Sequence, residues 1–203
     1  MQRLRKGYEN HRSLKNGCCH GAYPRTKVRL RTHPLHRASY DALNSTDLAM
    51  SPVSAGILLF RRRNSRTEVF LVHPGGPYWA QKDIGAWSVP KGLVTPGEAH
   101  LACARREFKE ETGFDIYGTG NERDLGIFRQ PSGKRLHVWA VEGDCNPTDL
   151  ASNLFDMEWP PKSGKKQKFP EVDRGGWFDK EEAVTKITKG QRGILASFYT
   201  EIG

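Results

Sequence analysis

Apolar and polar residues alternate in blocks from residue 50 onwards, and the blocks predict a series of strands. A continuous apolar run at 53–60 predicts a buried strand, and 69–72 predicts a strand that returns beside it after a polar turn. The same reasoning predicts further strands at 87–89, 125–129, 136–141 and 172–178. The Gly- and Pro-rich segment 73–86 and the long segment 144–170 are predicted to be connections.

Three segments have the composition or the apolar spacing of helices. Residues 99–112 are mostly good helix formers and end before Gly113, a residue type that favours helix termination. Asp179 is a candidate N-cap for a helix over 180–189, and a last amphipathic helix is predicted over 191–200. The side of the first helix expected to face a sheet carries Ala99, Ala102, Cys103 and Phe108. Strands and helices mixed in this order favour an α/β sandwich.

Three glutamates lie close together in the first predicted helix. Glu107, Glu110 and Glu111 fall within five residues, and their i,i+3 and i,i+4 spacing places them on one side of the helix. Spacing alone also allows a solvated acidic face paired with neighbouring basic residues. Carboxylates this close repel one another, however, and Mg²⁺ prefers carboxylate oxygens while sharing its shell with substrate phosphates. The cluster therefore indicates a site for a divalent cation.

The surrounding stretch, GLVTPGEAHLACARREFKEETGF, resembles the signature of the Nudix hydrolases, G-x5-E-x7-R-E-U-x-E-E-x-G-U, where U is a bulky apolar residue. All nine defined positions are matched, by Gly92, Glu98, Arg106, Glu107, Phe108, Glu110, Glu111, Gly113 and Phe114. At ordinary residue frequencies a chance match in a chain of this length is on the order of one in ten million.

The resemblance implies an α/β/α sandwich with a mixed sheet and a loop-helix-loop catalytic element. It implies an enzyme that hydrolyses a nucleoside diphosphate linked to another group, with Mg²⁺ or Mn²⁺ bound by the residues that match Glu107, Glu110 and Glu111. The arginine that matches Arg106 orients the first of these glutamates, and the residue that matches Glu98 braces the loop or assists at the metal. The carboxylate that serves as general base varies within the family, and Glu107 is the preferred candidate.

Trp87 and the Pro90-Lys91-Gly92 element are similar to the Nudix subgroup that acts on diadenosine polyphosphates and diphosphoinositol phosphates. The expected substrate is therefore a nucleoside triphosphate or a dinucleoside polyphosphate. ADP-ribose and nucleotide sugars remain alternative substrates, because the geometry of the loops decides which of these compounds is bound. A non-enzymatic alternative is a Nudix-like regulator that binds a nucleotide and no longer hydrolyses it. Such proteins often lack signature glutamates, and none is missing here.

Several residues outside the signature are candidates for substrate or metal binding. Lys91 is expected beside the phosphates, and the lysine-rich run 162–168, with Lys165 and Lys166, is a candidate polyphosphate clamp. Aromatic residues that could stack on a base are Tyr78, Trp79 and Phe169. Candidates for an additional metal-binding acid, a feature of many Nudix enzymes, are Glu142 and Glu171. Residues with no ligand spacing, expected to be structural or exposed, are His73, His100 and His137.

Charge divides the 203-residue chain into two regions. Residues 1–49 hold ten Lys or Arg against three Asp or Glu, which supplies +7 of the formal net charge of +9. This tail lacks helical or strand periodicity and is expected to be disordered. A nucleic-acid-binding arm and an organelle-targeting segment are the less favoured interpretations, and translation that begins at Met50 is the favoured one. We therefore expect a basic tail at 1–49 and a Nudix domain at 50–203.

The four cysteines, Cys18, Cys19, Cys103 and Cys145, have no zinc-binding spacing. Reduced thiols in a cytoplasmic protein are their expected state. No apolar run approaches the length of a membrane-spanning helix.

Overall fold

The structure, a computed structural model, describes residues 52–116 and 120–202, so the predicted tail at 1–49 lies outside the described residues. The elements in chain order are strands β1 (Val53–Arg63), β2 (Arg66–Pro74) and β3 (Lys91–Leu93), helix α1 (His100–Thr112), strands β4 (Arg123–Arg129), β5 (Arg135–Glu142), β6 (Leu154–Glu158), β7 (Lys166–Pro170) and β8 (Val172–Phe178), and helices α2 (Lys180–Lys186) and α3 (Arg192–Glu201). Short 3-10 turns occur at Pro147–Asp149 and Lys189–Gln191.

The central sheet has six strands and is mixed. Its order is β4-β5-β1-β2-β8, and β3 also pairs with β1. Strands β1 and β5 run parallel, whereas the other pairs in this sheet are antiparallel. Strands β6 and β7 form a separate antiparallel pair, which we call the β6–β7 hairpin (residues 154–170).

Both faces of the central sheet are covered by helices. Along β1, Ile57 and Leu59 pack in one apolar cluster with α1, while Leu58 and Phe60 pack in a second cluster with α2 and α3. This alternation follows from the two-residue period of a strand. The α/β/α sandwich that the sequence predicts is therefore confirmed.

Helix α1 turns a slightly different side to the sheet from the one expected. Cys103 and Phe108 are buried as predicted, but the third apolar contact is Ala104. Ala99 precedes the helix with extended backbone and Ala102 is exposed, so the expected role of these two residues is wrong. Ala104 and Phe108 are one turn apart, whereas Ala102 lies on the other side of the helix.

Three other predicted elements need correction. Residues 87–89 form only isolated bridges, Val72 with Ser88 and Trp87 with Ile187. The helix expected over 180–189 ends at Lys186. The segment 144–170, expected to be a connection, contains the β6–β7 hairpin. Within residues 52–116 and 120–202, no helix is long and apolar enough to cross a membrane.

Candidate functional site

Arg106, on helix α1, holds three of the signature carboxylates together. Its Nε and Nη2 atoms donate to the two oxygens of Glu98 at 2.9 and 3.0 Å. Its Nη1 atom donates to Glu107 at 2.7 Å and to Glu110 at 3.2 Å. Bidentate Arg–carboxylate pairs are strong and directional, so this arginine fixes the acids relative to one another.

Glu98 fastens the loop before α1 to the helix. Besides Arg106, its carboxylate accepts hydrogen bonds from the backbone N–H of Thr95 at 3.1 Å and from the Thr95 hydroxyl at 2.9 Å. The hydrogen bonds from Arg106, and then those from Thr95, lower the pKa of Glu98 to about 2. Glu98 is therefore ionised at every pH at which the protein would be assayed.

Glu111 occupies a very different environment, beneath β3. Its Oε2 accepts a hydrogen bond from the backbone N–H of Lys91 at 3.1 Å. Burial raises the pKa of Glu111 to about 7, against the lowering effects of the Lys91 charge and hydrogen bond, while the charges of Glu107 and Glu171 raise it further. A proton or a cation is therefore needed to neutralise this carboxyl group.

The two signature glycines have separate structural roles. A Cβ atom at Gly92 would lie 1.9 Å from the carboxylate of Glu107, so only glycine leaves room for that side chain. Gly113 ends α1 in the left-handed conformation, with φ 77°, and donates its N–H to the carbonyl of Lys109 at 2.8 Å. Gly92 thus serves the acidic cluster directly, and Gly113 serves the helix that carries it.

The carboxylate cluster fits a hard divalent cation by its chemistry. Three carboxylates, those of Glu98, Glu107 and Glu110, contact one guanidinium. The fourth, Glu111, is half-buried and has no ion pair at its carboxylate among the described contacts. In the described part of the chain no three His, Cys, Asp or Glu side chains converge closely enough to hold a metal ion. Glu107 and Glu110 instead turn toward Arg106, which supplies the positive charge between them.

The two candidates for an additional acid lie in different places. Glu171 is close enough to Glu111 to raise its pKa. Glu142 pairs with Arg62 at 2.9 Å and stands opposite Phe60 of β1, whereas Lys91 stands opposite Gly56. Four strand residues separate these positions, a distance of about 13 Å. The fold therefore brings Glu171 to the cluster and leaves Glu142 near the opposite end of β1.

The remaining candidates divide between the site and the surface. The Lys91 side chain is close enough to lower the pKa of Glu111 by its charge. Lys165 and Lys166 are exposed on the β6–β7 hairpin. Trp79 packs against the core and lies under the Nζ atom of Lys82, 4.5 Å from its ring centroid. Tyr78 is 54% exposed, and its ring and that of Trp159 meet in a T-shaped contact.

Sequence reasoning missed Trp159 and the pairing of the buried His73 with the exposed Asp173, although it did expect His73 to be structural or exposed. The His73 ring is fully buried between Asp173, 2.7 Å from Nδ1, and the carbonyl of Lys82, 2.7 Å from Nε2. His73 thus has a structural position, at the base of the 73–86 loop. Trp159 could have been noticed as an aromatic residue inside a polar, lysine-rich run. Its contact with the ring of Tyr78 is visible only in the three-dimensional structure.

Comparison with known proteins places these features in a family. The family model described as NUDIX domain matches residues 50–198. The asymmetrical bis(5'-nucleosyl)-tetraphosphatase of Sus scrofa is 38% identical over 101 residues, which are 44% of this chain and 63% of the pig protein. The chain spans less than two thirds of the length of the curated relatives it matches, from 10% for a Saccharomyces cerevisiae mRNA-decapping enzyme subunit to 63% for the tetraphosphatases.

Two solved structures share the fold. A binary complex of a C. elegans Ap4A hydrolase superposes with a TM-score of 0.52 and 20% identity, covering 72% of this chain and 96% of that one. The NUDIX domain of Shewanella oneidensis NrtR complexed with ADP ribose superposes with a TM-score of 0.54 and 12% identity, covering 82% of this chain and 98% of that one. At these identities the likeness concerns the fold alone.

Proposed function

Because this chain belongs to the Nudix family, we propose that it hydrolyses a phosphoanhydride bond in a compound containing a nucleoside diphosphate, with a divalent cation as cofactor. The observation that carries the proposal is the carboxylate cluster at α1, in which Arg106 holds Glu98, Glu107 and Glu110 and the half-buried Glu111 has a raised pKa. Complete retention of these acids favours a catalyst over a regulator that has lost turnover.

Glu107, Glu110 and Glu111 are the residues that would hold Mg²⁺ or Mn²⁺, because carboxylate oxygens are the ligands these ions prefer. When bound, such an ion neutralises phosphate oxygens and lowers the pKa of a bound water. Glu171, whose charge acts on Glu111, is the favoured additional acid.

The other roles belong to the chain itself. Glu107 is proposed as the general base, and Arg106 orients it through the 2.7 Å hydrogen bond from Nη1. Glu98 holds Arg106 and the preceding loop in position, because its carboxylate accepts hydrogen bonds from Arg106 and from Thr95. Lys91, at the edge of the cluster, is proposed to bind a phosphate of the substrate.

We propose a nucleoside triphosphate or a dinucleoside polyphosphate as the substrate. The names of the pig tetraphosphatase and the C. elegans Ap4A hydrolase support this class. The ligand of the NrtR NUDIX domain makes ADP-ribose the competitor to test.

We also propose a cytoplasmic location. Cys103 and Cys145 are free cysteines in the described residues, and free thiols are typical of reducing compartments.

The experiment is a substrate screen with Mg²⁺, in which products are identified by mass for ATP, Ap4A, ADP-ribose and a nucleotide sugar. The Glu111→Gln variant should lose roughly 100-fold or more in kcat, since even partners outside a metal's direct ligands contribute 10- to 100-fold. Glu142→Gln is the matched control, because its carboxylate is exposed and paired with Arg62. Equal rates for wild type and Glu111→Gln would refute the catalytic assignment, and exclusive cleavage of ADP-ribose would refute the substrate class.

A further inference from the structure

The β6–β7 hairpin is attached to the C-terminal end of the helix that carries the acids. The backbone N–H of Asn153 donates to the carbonyl of Glu110 at 3.1 Å, and that of Ala151 donates to the carbonyl of Thr112 at 3.0 Å. Both carbonyls lie in the last turn of α1, where the backbone C=O groups have no N–H partner within the helix. The hairpin therefore begins directly beside the carboxylate cluster.

The loop that carries Tyr78 is attached at the same place. The N–H of Gly75 donates to the carbonyl of Glu171, and the N–H of Glu171 donates to the carbonyl of Asn153, both at 2.9 Å. A Cβ atom at Gly75 would lie 2.0 Å from the carbonyl oxygen of Pro170, so the approach needs glycine. Tyr78 is three residues further along and lies within about 11 Å of Gly75.

The two faces of the hairpin differ in charge. On β6, Asp156 and Glu158 are exposed, and they stand opposite Lys168 and Lys166 of β7. We call the side that carries these four residues the outer face. Opposite charges that face each other across two strands attract. Two of the four lysines in the 162–168 run therefore have acidic neighbours and are poorly suited to bind phosphate.

The other side, which we call the inner face, is mostly apolar apart from Gln167, which stands opposite Met157, and it is turned toward the loop. It carries Phe155 and Met157, whose side-chain atoms lie 3.4 and 3.8 Å from the Cβ position of Gly76. Strand alternation continues this face to Trp159. The N–H of Trp159 donates to the carbonyl of Lys165 at 2.9 Å, so Lys165 stands opposite an aromatic residue rather than an acid.

At the end of the inner face, Tyr78 and Trp159 form an aromatic pair. Their ring centroids are 5.2 Å apart and the ring planes are at 84°. Tyr78 is 54% exposed, although its loop is attached through Gly75 to Glu171, whose charge acts on Glu111. An exposed aromatic side chain is a platform on which any nucleobase can stack.

We propose that Tyr78 and Trp159 bind the nucleobase of the substrate and that Lys165 binds its phosphate chain, an inference that rests on the proposed function. The acids on α1 lie where the phosphoanhydride is cleaved, and the inner face of the hairpin holds the rest of the nucleotide. The ligand class is a nucleoside polyphosphate, and recognition by stacking makes the subsite tolerant of base identity.

Equilibrium titration with two ligands separates stacking from phosphate binding. The first ligand is AMPPNP, an ATP analogue with an imide between the β- and γ-phosphates, and the second is inorganic tripolyphosphate, both with Mg²⁺. Every protein compared, including the wild-type reference, carries Glu111→Gln, so that the phosphoanhydrides that both ligands retain are not cleaved. Tyr78→Ala should weaken AMPPNP binding on the order of 10-fold, the effect of losing one base–aromatic stack, and leave tripolyphosphate binding unchanged. Tyr78→Phe, which keeps the ring, should bind both ligands as the wild type does.

The lysines provide a matched pair. Lys165→Ala should weaken binding of both ligands, and Lys166→Ala, on the outer face, should leave both within about twofold of the wild type. The proposal is overturned if the wild type does not bind AMPPNP, if Tyr78→Ala binds it unchanged, or if Tyr78→Ala weakens both ligands equally. Titration does not depend on turnover, so a protein that binds through Tyr78 but hydrolyses nothing would refute the proposed function and support the subsite.

Discussion

At the scale of single residues, two carboxylates of the cluster, Glu98 in the loop before α1 and Glu111 on α1, have opposite electrostatic environments. Glu98 is held ionised by Arg106 and Thr95, whereas burial raises the pKa of Glu111 to about 7. A buried carboxyl group without a neutralising charge is costly to the fold. The protein therefore retains at Glu111 a group that the proposed function requires and that the stability of the fold disfavours.

Glu111→Gln should raise the free energy of unfolding at pH 8 when divalent cations are absent. The folded-state pKa of Glu111 is about 7 and the ordinary value is 4.5. The folded wild type therefore holds a proton that the unfolded chain has released between these pH values, and wild-type stability falls as pH rises through this range. Glutamine does not titrate, so the variant should gain about 3 kcal/mol above pH 7 and nothing below pH 4.5.

Urea unfolding in EDTA at pH 4.5 and pH 8 measures this difference. Glu142→Gln is the control, since its exposed carboxylate should give little change at either pH. A difference between Glu111→Gln and wild type that is the same at both pH values would contradict the prediction.

Gly92→Ala should reduce activity far more than stability. The added Cβ would overlap the Glu107 carboxylate, which lies at the end of a flexible side chain and can move aside without disturbing the backbone. Displacement of a catalytic group by about 1 Å costs on the order of 100-fold in rate. Steady-state kinetics and thermal unfolding test this, with Gly193→Ala as control because its nearest neighbour, Phe128, is at an ordinary 3.7 Å. Activity retained by Gly92→Ala would contradict it.

At the scale of elements, helix α1 was predictable, and the contacts that support its C-terminal end were not. Composition and Gly113 placed its limits within one residue of His100–Thr112, and helical spacing placed the glutamates on one side. The donors for its last carbonyls come from Ala151 and Asn153, some 40 residues away along the chain. Local patterns do not contain such long-range pairings.

The β6–β7 hairpin was missed because its strand signal is weak. Prolines and lysines dominate its tip, and only Phe155, Met157 and Phe169 give it an apolar side. Its alternation is visible once the register Phe155–Phe169 is known. Strand pairing, rather than strand propensity, specifies this element.

Asp179→Ala should destabilise the fold by about 1 kcal/mol and leave hydrolysis unchanged. Asp179 is the N-cap of α2, and its side chain accepts the N–H of Glu182 at 3.0 Å. Helix α2 packs on the face of the sheet away from α1. Denaturant unfolding and kcat/KM measure the two effects, and Asp179→Asn should restore most of the stability. A loss of activity without a loss of stability would contradict this expectation.

At the scale of the whole molecule, the sandwich was predictable from the order of its elements and the signature. The composition of the active cluster could be predicted residue by residue, because α1 is one continuous helix. The choice between Glu142 and Glu171 could not, because Glu142 ends β5, which pairs with β1, whereas Glu171 precedes β8, which pairs with β2. Spatial neighbours from different strands require the sheet order.

A chain truncated to residues 50–203 should fold and keep the wild-type kcat/KM. Every strand and helix described here lies within 52–202, and the family model matches 50–198. Circular dichroism, thermal unfolding and the substrate screen, run beside the full chain, make the comparison. Loss of activity with the fold intact would show that residues 1–49 take part in function.

The separate attachment of α1 and the hairpin has a consequence for protein engineering. Glu107, Glu110 and Glu111 belong to one continuous helix, while Tyr78, Trp159 and Lys165 belong to other segments, and backbone hydrogen bonds connect these segments to the end of the helix. Side chains at these three positions can therefore be exchanged without altering the helix that carries the proposed cleavage centre. A library randomised at these three positions would redirect ligand preference while the bond-breaking chemistry stays constant.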